Sequence, residues 1–155
     1  MTDRRSFLVL ASALAAAPGL AQLPPNIEAL RRAALEDAVR RVVGGTTPRP
    51  GRVKLDLPPL IDNGNSVPIT VTVESPMTAD DHVKAIHLFT EKNPQPNVLE
   101  ARLGPRAGRA RISTRARIAD SGRVIAIAAM SDGSFWSDTV SVVVILSACL
   151  EEGLI

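Results

Sequence analysis

Between residues 138 and 146 the chain alternates, with Asp138, Val140, Val142, Val144 and Leu146 recurring at every second position. A period of two carried by β-branched valines predicts a strand with one buried face. The same period runs through much of the chain upstream. Val53, Leu55 and Leu57 alternate, Pro58-Pro59 interrupts, and Asp62-Asn63-Gly64-Asn65 is a turn signal before Val67, Ile69, Val71 and Val73 alternate again. A strand over about residues 83–91 carries Ile86, Leu88 and Phe89, and ends where Asn93-Pro94-Gln95-Pro96 denies further pairing. Residues 97–103 give the next, closed by Gly104-Pro105. Then Ala110, Ile112, Thr114, Ala116 and Ile118 form a face expected in the core, opposite Arg109, Arg111, Ser113, Arg115 and Arg117, which face water or a partner. Asp120-Ser121-Gly122 turns the chain into a nearly continuous apolar run over 123–130, suited to a central strand. Ser131-Asp132-Gly133-Ser134 turns it again into a last strand that begins at Phe135-Trp136. About seven short strands separated by turn residues predict an all-β fold, an immunoglobulin-like antiparallel β-sandwich.

One stretch has a helical period instead. After the turn residues Pro24-Pro25-Asn26, the apolar residues Ile27, Leu30, Ala34, Ala38 and Val42 recur at spacings of three and four, and Gly44-Gly45 supplies a left-handed stop. This predicts one amphipathic N-terminal helix over 26–43, with Arg31, Arg32, Glu36, Asp37, Arg40 and Arg41 on its solvated face. Residues 46–51, with Pro48 and Pro50, read as a linker. Ahead of the helix, Arg4-Arg5-Ser6-Phe7-Leu8 is a twin-arginine pattern, followed by an apolar run over 8–17 and small residues at Gly19-Leu20-Ala21. The run is too short to span a bilayer. The expected organisation is therefore a twin-arginine signal peptide over 1–21, a helix and linker over 22–51, the sandwich over 52–146 and a cysteine-bearing arm over 147–155, in a periplasmic protein with no membrane attachment.

Composition narrows the function classes. The 155 residues carry 18 basic and 16 acidic side chains, net +2, and only Lys54, Lys84 and Lys92 are lysines. That balance does not call for nucleic acid, and with no Tyr, three Phe and one Trp there are few platforms on which bases stack. Trp136 reads as a packing residue. His82 and His87 are the only histidines, and a five-residue spacing within a strand puts their rings on opposite faces, so no metal site is expected. Arg109, Arg111, Arg115 and Arg117 are an anion-binding candidate that reads more simply as a charged strand face. There is no nucleophile-elbow serine and no glycine-rich phosphate loop, so neither an enzyme active site nor a cofactor is expected. Chemistry concentrates on Cys149, the single cysteine. In an oxidising compartment one thiol has no internal partner, which points to an intermolecular partner or a functional thiol.

Five stretches, in order, carry a family resemblance. Val67-Pro68-Ile69-Thr70-Val71, Phe89-Thr90-Glu91-Lys92-Asn93-Pro94-Gln95-Pro96, Leu103-Gly104-Pro105 and Ser113-Thr114-Arg115-Ala116-Arg117-Ile118 are followed by a valine-rich strand and then Cys149. Together they resemble the SoxY family of sulfur carriers in bacterial thiosulfate oxidation, residues 91–96 being the most specific piece. The resemblance implies an immunoglobulin-like carrier in a heterodimer with a SoxZ-like subunit. Its cysteine, Cys149 here, holds sulfur intermediates covalently and presents them to a haem-containing conjugating enzyme, a thiohydrolase and a sulfane dehydrogenase. In the family the cysteine lies within Gly-Gly-Cys-Gly-Gly, whereas this chain reads Ser147-Ala148-Cys149-Leu150-Glu151. Two readings follow: a carrier with an altered arm, or a non-catalytic binding or scaffolding module that keeps the fold and partner without the carrier role.

Overall fold

The computed structural model describes residues 26–146. The expected signal peptide over 1–21 and the arm over 147–155 lie outside the described residues. Within them the chain folds as two β-sheets face to face with one helix, as the alternation predicts. The smaller sheet has the order β2-β4-β7, from β2 (Val53–Asp56), β4 (Val67–Val73) and β7 (Arg111–Ala116), all antiparallel. The larger runs β1-β9-β8-β5-β6, from β1 (Arg49–Pro50), β9 (Phe135–Leu146), β8 (Gly122–Met130), β5 (Val83–Thr90) and β6 (Asn97–Arg102), and β3 (Leu60–Asn63) also pairs with β9.

Alternation builds the interior. Val67, Ile69, Val71 and Val73 of β4 point into a core shared with Ile86 and Leu88 of β5 and with Val124, Ala126, Ala128 and Met130 of β8. β8 has neighbours on both edges, and its other face lies under the helix, which is why its sequence reads as almost unbroken apolar residues.

The helix α1 (Ile27–Val43) closes that other face. Asn26 caps it, its Oδ1 accepting from the amides of Glu28 and Ala29, and Gly44 ends it at φ +61°, with its N–H donating to the Arg40 carbonyl. Its apolar face differs from the expected one. Leu35, Ala38 and Val43 are buried against Phe89 and Ile127, while Ile27 and Leu30, expected on the buried stripe, are 50% and 56% exposed. The helix meets the sheet only along its second half, so the first two turns have no core to enter. What ties down the first turn is polar: Lys92 Nζ lies 2.8 Å from Glu28 Oε1.

Two strands were not expected. Within the predicted linker, β1 pairs in parallel with the start of β9, Arg49 opposite Trp136. Gly51, at φ +103°, turns the chain away, and the guanidinium groups of Arg49 and Arg52 each lie over the Trp136 ring, 5.9 and 5.7 Å from its centroid. Trp136 is thus a packing residue, as read from the sequence. At the opposite end of β9, β3 pairs in parallel with residues 143–146. Among the described residues the sandwich therefore has nine strands rather than about seven, and the two short additional ones pair in parallel.

Candidate functional site: the root of the cysteine arm

Cys149 lies outside the described residues, but the strand that leads to it is described to within three positions. β9 pairs with β8 from Phe135 as far as Val142, opposite Gly122. Beyond that point β3 takes over on the other edge, with Leu60, Ile61 and Asn63 opposite Val143, Val144 and Leu146. The Val143 amide donates to the Pro59 carbonyl at 2.8 Å, and the Gly64 amide donates to the Leu146 carbonyl at 3.0 Å. On the edge that β8 has vacated, the Val144 amide donates to Ser121 Oγ at 2.9 Å. The root is held from both sides up to its last described residue. Its inner face is packed by Ile61, Val142 and Val144, whereas Leu60, Val143, Ile145 and Leu146 are exposed apolar residues.

A second set of bonds ties this root to the loop over 91–96. Gly64 also accepts from the Ile118 amide at 2.8 Å. The next amide, Ala119, donates to Asn93 Oδ1 at 2.8 Å, and Asn93 Nδ2 donates to the Arg117 carbonyl at 2.9 Å. Asn93 is 9% exposed and Ala119 is 2% exposed, so each bond substitutes for water that cannot reach these groups. The loop itself closes with the Thr90 amide on the Pro96 carbonyl. Asn93, Gly64 and Ser121 thus join the loop, the exit of β7 and the root of the arm. From the sequence, Asn93 read as the end of a strand and part of the stretch most specific to the resemblance, and Gly64 and Ser121 as parts of turn signals.

Glu91 secures the start of the loop. It accepts from Arg123 Nε and Nη2 at 3.2 and 3.1 Å and from the Arg123 amide at 3.2 Å. The hydrogen bond from the Arg123 side chain, above all, holds the Glu91 carboxyl below the ordinary carboxylate range. A depressed acid stabilises the fold fully above its unfolded-state pKa, and the contribution drains away as pH falls through the lowered folded value. Glu91→Gln is therefore expected to lower the urea midpoint modestly at neutral pH, because its partner Arg123 is half-exposed to screening water, and to lose less further stability than the parent chain in an acid series below the ordinary glutamate range. Equal acid sensitivity of the two proteins would show that the pair contributes nothing.

The other candidates remain apart. His82 precedes β5 with its Nδ1 3.1 Å from the Thr78 carbonyl, while His87 is buried in β5 beside Phe89. Among the described residues no group of three or more His, Cys, Asp or Glu side chains lies together. Arg109, Arg111, Arg115 and Arg117 are exposed, as expected of a charged face, and two of them are engaged: Arg115 donates to the Ser66 carbonyl and Arg117 to Asn65 Oδ1.

The family described as sulfur oxidation protein SoxY matches residues 39–149. The chain belongs to the SoxY family. The SoxY match runs from the second half of α1 through both sheets and ends on Cys149. Among solved structures, the fold is similar to the sulfur carrier protein SoxY from Chlorobium limicola f thiosulfatophilum, with a TM-score of 0.61 at 23% identity over 74% of this chain and 98% of that one. It is also similar to a superoxide reductase (neelaredoxin) from Ignicoccus hospitalis, TM-score 0.52 at 15% identity over 61% and 80% of the two chains. A putative superoxide reductase from Thermotoga maritima gives 0.51 at 20% identity over 63% and 87%. At these identities the likenesses concern the fold alone. No curated protein matches the sequence. The loop over 91–96, the most specific piece of the resemblance to SoxY, is the one that Asn93 and Glu91 tie to the exit of β7 and to β8.

Proposed function

We propose that this SoxY-family chain is a periplasmic sulfur carrier, on which Cys149 holds thiosulfate-derived intermediates covalently while separate enzymes act on them. The observation that carries the proposal is the family match reaching residue 149, the position of the protein's single thiol. The Chlorobium limicola protein that shares the fold is itself a sulfur carrier.

The chemistry divides between carrier and partners. A haem-containing conjugating enzyme takes two electrons and one proton as the Cys149 thiol and the sulfane sulfur of thiosulfate join, giving Cys–S–S–SO3−. A thiohydrolase then adds water across the terminal S–S bond, releasing sulfate and leaving a persulfide on Cys149, which is the substrate left for a sulfane dehydrogenase. The chain itself supplies the thiol, its placement and a surface to recognise. A SoxZ-like subunit completes the carrier as a heterodimer. Placement follows from β3: the backbone is pinned at Leu146, and three residues of extended chain reach at most about 10 Å. An enzyme must therefore accept part of the sandwich as well as the arm.

Leu150 and Glu151, where the family has glycines, favour a second reading, a SoxY-fold binding module that keeps its partner without carrying sulfur. Intact mass spectrometry of the mature chain from the periplasm of thiosulfate-fed cells separates the two. A carrier is expected to show sulfur or thiosulfonate adducts that reductant removes. A single unmodified mass with a partner subunit still bound would overturn carriage and leave the module.

A further inference from the structure

Far from the arm, between the second half of α1 and the outer face of β5 and β6, lies an open cleft of about 530 Å3. His87 lines it and is only 7% exposed. Its Nδ1 is one of two buried side-chain polar atoms among the described residues that have no hydrogen-bond partner. A buried polar atom left unmatched is costly, so such atoms are rare away from places where something else supplies the bond. The charges around the cleft say what it can take. Arg41 comes from α1, Lys84 from β5, and Arg102 and Glu100 from β6, whereas β8 and β9 contribute only Ala129 and Phe135. Glu100 already accepts from Arg102 Nε at 2.8 Å, and neither Arg41 nor Lys84 makes an ion pair within the described residues.

We propose that this cleft binds a small tetrahedral oxyanion of the sulfate and thiosulfate type, held by Arg41, Lys84 and Arg102 beside the buried His87 ring. With Glu100 paired to Arg102, the positive charges of Arg41 and Lys84 are left over, and a guanidinium's fork of donors suits several oxygens at once. The site is separate from the covalent chemistry. Phe135 at the cleft and Leu146 at the root of the arm are opposite ends of a 12-residue strand, roughly 36 Å apart at the usual rise per residue. An arm reaching about 10 Å does not bring Cys149 to this cleft. The inference therefore stands without the carrier proposal, and binding here is to the domain, not to the thiol.

Binding and protonation are linked. Burial, first of all, holds the His87 imidazole below its ordinary pKa, with Arg102 acting in the same direction and Glu100 opposing. A bound dianion favours the imidazolium, so the His87 pKa rises on binding and affinity increases as pH falls through its titration.

With only two histidines, the protein reports on itself. The ring nitrogens are observed by NMR in the full mature chain as sodium sulfate, and separately sodium thiosulfate, are added against sodium chloride at matched ionic strength. The expected result is a saturable shift of the His87 signals and an upward move of its pKa with either oxyanion, while His82 does not respond. The exposed double variant Arg41→Gln, Lys84→Gln, with its fold checked by the unchanged dispersion of the remaining spectrum, is expected to bind at least tenfold more weakly. Parallel shifts of both histidines, no saturation, or equal affinity in the double variant would each overturn the site. The result is independent of whether Cys149 loads, since the titration reads the same in Cys149→Ser.

Discussion

Cys149→Ser is expected to take reductant-labile sulfur loading from detectable to none while leaving the thermal midpoint and the bound partner subunit unchanged. A serine oxygen is protonated at neutral pH and forms no disulfide-type bond to a sulfane sulfur, so no stable adduct survives. The sandwich is indifferent to the change because its last described pairing, Asn63 with Leu146, lies three positions earlier. Intact mass after incubation with thiosulfate and the conjugating partner reads the first half of the expectation, and differential scanning fluorimetry with partner co-purification reads the second. Retained loading in the variant would remove Cys149 from its assigned role. A fall in thermal midpoint would show that residues beyond Leu146 pack on the domain.

Asn93→Ala is expected to be the most destabilising of the substitutions considered, by about 2–4 kcal/mol, because one truncation leaves the buried Ala119 amide and the Arg117 carbonyl without partners. The urea midpoint should fall with little change in slope, since the surface exposed on unfolding is almost the same. Asn93→Asp separates the two bonds. It keeps an acceptor for Ala119 but turns an acceptor toward the Arg117 carbonyl, so a loss close to that of alanine would show that the donated bond matters as much as the accepted one. A loss below about 0.5 kcal/mol for Asn93→Ala would mean that water replaces the side chain and that the loop is not anchored as described.

How much of this could be read from the sequence depended on whether an element's partner left a local trace. β4 was legible because one face is wholly core, and Val67, Ile69, Val71 and Val73 mark it without exception. β7 was half legible. Ala110 and Ile118, beside its two ends, are buried as expected, but Ile112, Thr114 and Ala116 between them are only partly so, because β7 lies at the edge of a three-stranded sheet and has one neighbour. β3 was missed. Leu60-Ile61-Asp62-Asn63 offers a single buried side chain, and its parallel partner is supplied by the far end of the sequence, so nothing local separates it from the turn that follows. In α1 the three- and four-residue spacing was real, yet spacing cannot tell where along a helix the covering sheet stops. Cys149, the residue the sequence singles out, lies outside the described residues; the loop over 91–96 was legible as a stretch, but the network joining it to the root of the arm was not, since Gly64 reads as a turn former and Asn93 as the end of a strand.

β9 is the last strand of the described chain and still an interior one, with β8 on one side and β1 and β3 on the other. Leu60 waits for Val143, about 80 residues later, before its strand exists, and contacts so distant in sequence close late because the intervening loop must first be ordered. Docking of β9 is thus the step that completes the larger sheet. The same step brings the chain leading to Cys149 to its fixed starting point at Leu146, so where the last residues leave the domain is set only in a molecule that has finished folding.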